Sequence, residues 1–291
     1  MPFENQDILP LLDDLLPRGR GLLVMLKVFL DLGEKRHAGD VVMCVASVIF
    51  KPTPYKQFVR PWNRMLKTWG ASAFHATDFY NGAAEFKRNT PERMLLHDKD
   101  SKRIPRMIGE HVQRITIISF RPEEFKQIAS PQWKAKFGTS VHSHAVQLSL
   151  IANGWWRKDK CPSESFAYVM ETGDTDEGEV LRDIEKMRHD IGTGTASAIA
   201  VTSFTTVDKG KARGLEAADF VAWQWNKYYI DKIRTGQDFN PRKDLAALVD
   251  ASNEQIEYIL ATGETLKYLF SLVPPEILEG QNGEKTKSAG I

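Results

Sequence analysis

Residues 22–50 read LLVMLKVFLDLGEKRHAGDVVMCVASVIF, and the fold is decided there. Leu22 to Leu30 is apolar except for Lys27 and reads as a buried strand ending at Asp31. Gly33 and Gly39 bracket a polar turn, Glu34 to His37. Val41 to Phe50 is apolar and rich in β-branched residues, which pack well on a pleated surface. Two such runs joined by a glycine-bearing turn predict an antiparallel hairpin.

Downstream, Pro52 and Pro54 stop the second strand, and Phe58, Trp62, Met65, Leu66 and Trp69 recur at helical spacing. Phe74 to Phe79 reads as a short extended piece or turn. Pro91 to Val112 reads as a charged helix with a kink or break at Pro105. Arg114 to Phe120 is an isoleucine-rich strand, and Arg121-Pro122-Glu123-Glu124 opens a helix. His142 to Trp156 (helix), Phe166 to Met170 (strand) and Glu177 to His189 (helix) follow. Ala196 to Phe204 reads as a strand, and Lys211 to Ile233 and Asn253 to Leu272 as helices. This alternation predicts an α/β fold: a mixed sheet with an N-terminal antiparallel hairpin and helices on both faces. No internal repeat or long linker divides it. Residues 1–20 form an expected N-terminal arm, 21–278 a single domain, and the polar stretch 279–291 a disordered tail.

The composition narrows the function classes. The 291 residues are 42% hydrophobic and 26% charged, as in ordinary globular proteins. The net charge of +1 excludes a uniformly basic nucleic-acid binder, so any attraction to phosphate must be local. No apolar run is long enough to span a bilayer, and the first ten residues lack a signal-peptide pattern. With Cys44 in an apolar run and Cys161 in a loop, the expectation is a reduced, cytoplasmic protein.

Three acids stand out. Asp31 and Glu171 each end a strand, and strand ends of α/β sheets are where sites gather. Asp219 lies among Ala217, Ala218, Phe220 and Val221, where a carboxylate is costly without a partner. Each alone is also consistent with a turn former or helix cap. Together they suit a hard cation such as Mg²⁺, which prefers oxygen ligands. Two such ions can clamp the attacking and leaving oxygens of a phosphodiester.

Four segments resemble the domain-of-unknown-function 3800 family. Phe29-Leu30-Asp31, with its glycine turn and the strand from Val41, is similar to the family's opening. Phe74-His75-Ala76-Thr77-Asp78-Phe79 with Gly82 resembles its internal His/Asp segment. Tyr168 to Asp174 resembles its acidic strand end. Leu215-Glu216-Ala217-Ala218-Asp219 resembles its C-terminal Leu-Gln-Ala-Ala-Asp signature. The matches span roughly residues 25 to 230. The resemblance implies a ribonuclease-H-like fold and a metal-dependent nuclease or phosphodiesterase using Mg²⁺ or Mn²⁺. It implies Asp31, Glu171 and Asp219 as metal ligands, Asp78 as a further carboxylate, and Asp174 as a neighbour holding an outer-shell water. The opening here reads Asp31-Leu32-Gly33-Glu34 where the family has Asp-Glu-Ser-Gly, and Glu216 replaces Gln. The alternative this motivates is a catalytically inactive ribonuclease-H-like protein that binds nucleic acid or a protein partner.

Other motifs carry less. His75 is either a base or ligand near Asp78 or a hydrogen-bonded structural residue. His142 and His144, two apart, cannot share one helix face and lack a matching Cys or Glu cluster, so they read as polar residues of a helix start rather than a zinc site. Gly192 to Thr195 lacks the ending of a phosphate loop. Trp155-Trp156 followed by Arg157-Lys158-Asp159-Lys160 is the expected nucleic-acid surface. Lys209, Lys211 and Arg213 form a second basic stretch near the expected site.

Overall fold

The computed structural model describes residues 25–37, 40–131, 133–134, 138–173, 176–190, 201–235, 242–253, 255–261 and 264–267. The expected arm, the tail, the 192–195 loop and Asp174 lie outside the described residues. Strand β1 (Met25–His37) pairs antiparallel with β2 (Asp40–Phe50), from Lys27↔Phe50 to His37↔Asp40. The hairpin is as expected, but β1 is longer. It continues six residues past Asp31, through the stretch read as a turn, because β2 supplies a hydrogen-bonding partner along its whole length. Strand β3 (Arg114–Phe120) pairs antiparallel with β2. On the other side β4 (Ser165–Glu171) runs parallel to β1, and β5 (Val201–Val207) parallel to β4. A sixth strand, β6 (Ile256–Ala261), lies parallel to β3, giving the order β5-β4-β1-β2-β3-β6.

The eight helices used below are α1 (Pro52–Trp69), α2 (Ala76–Asn81), α3 (Pro91–Gly109), α4 (Pro122–Ile128), α5 (Val141–Lys160), α6 (Glu177–Asp190), α7 (Arg213–Thr235) and α8 (Lys243–Ala251). Successive strand residues point to opposite faces. Phe29, Cys44, Ala46, Val48, Phe50, Ile115, Ile117 and Val169 therefore join one core with α1, α2, α3, α7 and α8. Leu26, Val28, Leu30, Val45, Ile118, Tyr168 and Met170 join another with α4, α5 and α6. Helices thus cover both faces of a mixed sheet opened by an antiparallel hairpin, the α/β arrangement expected from the sequence and consistent with the ribonuclease-H-like fold that the resemblance implies. Burial on both faces is also why the strands read as near-continuous apolar runs. Cys44 sits fully buried in the first core, and burial pushes its thiol up to about 12, leaving it inert.

Three local readings are corrected. The 74–79 segment is helical from Ala76, and aromatic packing of Phe74 and Phe79 against Trp62 and Trp69 holds it. Of the kink or break expected at Pro105, the break is absent: helix α3 runs through the proline from Pro91 to Gly109. The region read as one helix over 253–272 instead contains β6, preceded by α8. A short apolar run such as Ile256-Glu257-Tyr258-Ile259-Leu260 does not distinguish strand from helix by period. The open edge of β3 decides it by offering backbone partners from Ile115 to Phe120.

Helix α7 is seated closely on β1. A methyl group on Gly214 would fall within the ring of Phe29, so only glycine permits this approach. The first turn of α7 is anchored by a buried ion pair, with Arg213 Nη1 donating to Glu216 Oε1 at 2.5 Å. Trp62 Nε1 donates to the other carboxylate oxygen. Arg213 also donates to Asn63 Oδ1 at 2.6 Å and to the Ser72 carbonyl at 3.0 Å. Arg213 is thus an internal tie between α7, α1 and the connection from α1 to α2, not part of a basic surface.

Candidate functional site: three carboxylates around one ammonium

The parallel register of β1 and β4 ends at Leu30↔Met170, so Asp31 and Glu171 emerge side by side at the carboxyl end of the sheet. Both continue the alternation of Phe29 and Val169 and face α7. Asp219 projects from α7 toward the same point. Lys209, two residues beyond the end of β5, completes the group from a 3₁₀ turn at Lys209–Lys211. Its Nζ lies 2.8 Å from Glu171 Oε2, 3.3 Å from Asp31 Oδ1 and 3.6 Å from Asp219 Oδ2. Side-chain exposure is only 7% for Asp31, 9% for Lys209 and 16% for Asp219. At that burial the pairing is needed, since an unpaired carboxylate there would lose its hydration without replacement.

The charges respond to one another. Burial works to lower the Lys209 ammonium, but the charges of Asp31, Asp219 and Glu171 together hold it above its ordinary value. Burial raises the Asp219 carboxyl, while Lys209, the Ala76 N–H and His75 pull it down. The Ala76 N–H, at the start of α2, donates to Asp219 Oδ2 at 2.8 Å. Asp219 therefore joins α7 to the His75–Ala76 segment as well as to the cluster.

The group opens into a cleft of about 340 Å³, lined also by Glu34, Thr77, Asn81, Trp223, Asn226 and Lys227. Asp31, Glu171 and Asp219 come together as the sequence led us to expect. Asp78 sits on α2 but does not line the cleft; Thr77 and Asn81, one turn apart on that helix, do. His75 is exposed at the N-cap of α2, within electrostatic reach of Asp219. Leu32 and Glu34 also line the cleft.

The feature that sequence reasoning missed is Lys209. Lys209, Lys211 and Arg213 read as one basic stretch, yet they part ways. Lys209 turns inward to the acids, Lys211 pairs with Asp208 at 2.7 Å on the surface, and Arg213 is buried against Glu216. The available signal was position, a lysine just past a parallel strand and ten residues before Asp219.

Among the described residues, no group of three or more His, Cys, Asp or Glu side chains is arranged to hold a metal ion as it stands. The spacing is that of an ammonium; the shortest Nζ–oxygen distance, 2.8 Å, exceeds the roughly 2.1 Å that Mg²⁺ takes to oxygen. In kind and in charge the donors do fit a hard divalent cation. Three carboxylates against one ammonium leave a formal charge of −2, and every donor is oxygen. No protein-family model matches this chain, and comparison with curated proteins finds no relative.

Proposed function

We propose that the cleft is the centre of a metal-dependent phosphodiester hydrolase, a nuclease of the ribonuclease-H-like class. The observation that carries the reading is the convergence of three carboxylates from three separate elements at the carboxyl end of the parallel strands, beside an open cleft. Asp31, Glu171 and Asp219 would hold Mg²⁺ or Mn²⁺. Such an ion, when bound, lowers the pKa of a water nucleophile and offsets charge on phosphate oxygens. The resemblance of four segments to the domain-of-unknown-function 3800 family supports the same assignment.

The remaining work falls to the chain's own residues. The N–H of Ala76 holds one Asp219 oxygen and so fixes the orientation of that carboxylate. Lys209, released from the acids, is placed to neutralise a phosphate oxygen. Thr77, Asn81 and Asn226 offer neutral hydrogen-bonding groups along the cleft. Lys227, one turn after Trp223, offers a cation at the rim.

Purified protein is to be assayed on DNA and RNA oligonucleotides with Mn²⁺ or Mg²⁺. We expect metal-dependent cleavage that Asp219→Asn abolishes, with the melting temperature of the variant close to that of the parent. Cleavage unchanged in Asp219→Asn overturns the proposal, as does the absence of any cleavage by the parent. A second reading is favoured by the ammonium at the centre of the acids. If Lys209 is a permanent counter-ion, the fold is a catalytically inactive binder of nucleic acid or a protein partner. Binding that needs no metal, without turnover, is its signature.

A further inference from the structure

A second, wider groove adjoins the acidic cleft. It encloses about 630 Å³ and is lined by Asn81, Gly82, Lys87, Arg88, Asn89, Met94, His97 and Asp98. Asn81 lines both spaces, so they meet at the end of α2. Their charges are opposite in sense. Four carboxylates and two lysines border the cleft. Lys87 and Arg88 face one carboxylate, Asp98, in the groove.

The basic side of the groove is built rather than incidental. Gly82 ends α2 with a φ of 66°, and a methyl group added there would come within 2.8 Å of Arg88 Nε. The guanidinium therefore lies across a turn that only glycine leaves open. Arg88 Nη2 donates to the Tyr80 carbonyl at 3.2 Å, which fixes it at the rim. Lys87 beside it is exposed. The wall between the two spaces is aromatic. Tyr80 stacks on Trp223 with centroids 4.3 Å apart and planes 7° from parallel, and its edge meets His97 at 6.2 Å. The exposed Arg242 guanidinium lies 5.2 Å from the Trp223 ring and 5.6 Å from Tyr80. Cations thus stand at the cleft (Lys227), over the shared wall (Arg242) and in the groove (Arg88 and Lys87), with the carboxylates of Asp98 and Asp244 among them.

We propose that the substrate is a polynucleotide strand whose backbone passes over Asn81, with flanking phosphates held by Lys87 and Arg88 and the scissile phosphate at the acidic cleft. This rests on the phosphodiesterase reading for the cleft alone; the groove makes its own claim, that the protein binds a strand there. A mononucleotide or small phosphoester would fill the cleft and leave the basic groove without a role. A chain of phosphates uses both, because each contact to Lys or Arg releases condensed counterions and adds salt-dependent affinity. The expected nucleic-acid surface at Trp155–Lys160 lies on α5, which packs on the opposite face of the sheet. There Arg157 is buried, donating to the carbonyls of Pro162 and Glu164.

The test is fluorescence anisotropy with labelled 12-nucleotide single strands, one DNA and one RNA, in EDTA so that nothing is cleaved, over a range of salt. The two strands separate the possible sources of the backbone. We expect Lys87→Gln with Arg88→Gln to weaken binding at least fivefold. The slope of log K against log salt should fall by about 1.4, roughly 0.7 for each lost phosphate contact. Lys87→Gln alone, on an exposed side chain, should give about half that slope change and guards against misfolding. Lys158→Gln with Lys160→Gln should bind like the parent. Binding and slope unchanged in both Lys87 variants overturn the proposal. So does a loss confined to the Lys158 and Lys160 variant, and so does a parent that binds neither strand. A parent that binds through Lys87 and Arg88, yet cleaves nothing with Mn²⁺, upholds the groove and refutes the hydrolase.

Discussion

Lys209 is the residue on which the site's behaviour turns. It is buried among three carboxylates, and removing the ammonium leaves their charge without compensation, typically at a cost of about 3–5 kcal/mol. Lys209→Met should therefore lose stability on the order of 3 kcal/mol at pH 7 without divalent ions. Urea denaturation checks this, and an unchanged midpoint contradicts it. The same variant should regain much of the loss in Mn²⁺, because the vacated acids then have a cation to share. Its thermal shift with Mn²⁺ is expected to exceed the parent's, and a smaller shift would argue for Lys209 as part of the metal-bound state. Asp78→Asn makes a useful contrast. Asp78 is off the cleft, and any cleavage activity should fall less than threefold, compared with abolition in Asp219→Asn.

At the scale of the element, α7 carries Asp219 and depends on how closely it sits on β1. Gly214→Ala should cost about 1–3 kcal/mol, the usual penalty of overpacking, since the new methyl meets Phe29 rather than a movable side-chain end. Equilibrium unfolding measures that loss, and metal binding should weaken in parallel as Asp219 shifts from its partners. The anchor of α7 also titrates. Burial pushes the Glu216 carboxyl up to about 7, against its ordinary 4.5, although Arg213 and Trp62 oppose the shift. Between these values the folded protein holds a proton that the unfolded chain releases. This group's stabilising contribution is therefore full below about pH 4.5 and lost as pH rises through 7. The difference in stability between the parent and Glu216→Gln, followed from pH 5 to 8, should shift in favour of the Gln variant as pH rises. A pH-independent difference would refute it.

For the molecule as a whole, the sheet divides the core in two, and the halves have different tasks. The face bearing α1, α2, α7 and α8 holds both the aromatic cluster around Trp62, Phe74 and Phe79 and the acidic cleft. The other face, with α4, α5 and α6, is a packing layer. Truncation after Ser252 would remove β6 and expose the backbone edge of β3 from Ile115 to Phe120. An uncovered apolar edge of that length is a template for pairing between chains. The truncated protein is expected to aggregate in size-exclusion chromatography at concentrations where the full chain elutes as one species. Elution like the full chain would show that β3 does not need the strand.

Much of the fold was legible in local pattern. The runs 25–30 and 41–50, the helical spacing from Phe58 to Trp69, and the apolar surroundings of Asp219 each reflect burial on one or two faces. Side-chain period and burial are local properties, so the sequence determines the class of fold and nominates Asp31, Glu171 and Asp219. What depends on partners distant in the chain was not legible. β1 extends past Asp31 because β2 pairs with it to His37, and 256–261 is a strand because β3 had a free edge. Lys209 looked like its neighbours Lys211 and Arg213, and apart from its place just past the strand no local feature separates the three. Only the parallel register of β1 with β4, and the return of the chain after β5, bring its ammonium to the point where three acids meet. The sequence supplied the charges; tertiary structure placed a cation at their centre, because buried carboxylates need a counter-charge and Lys209 reaches all three.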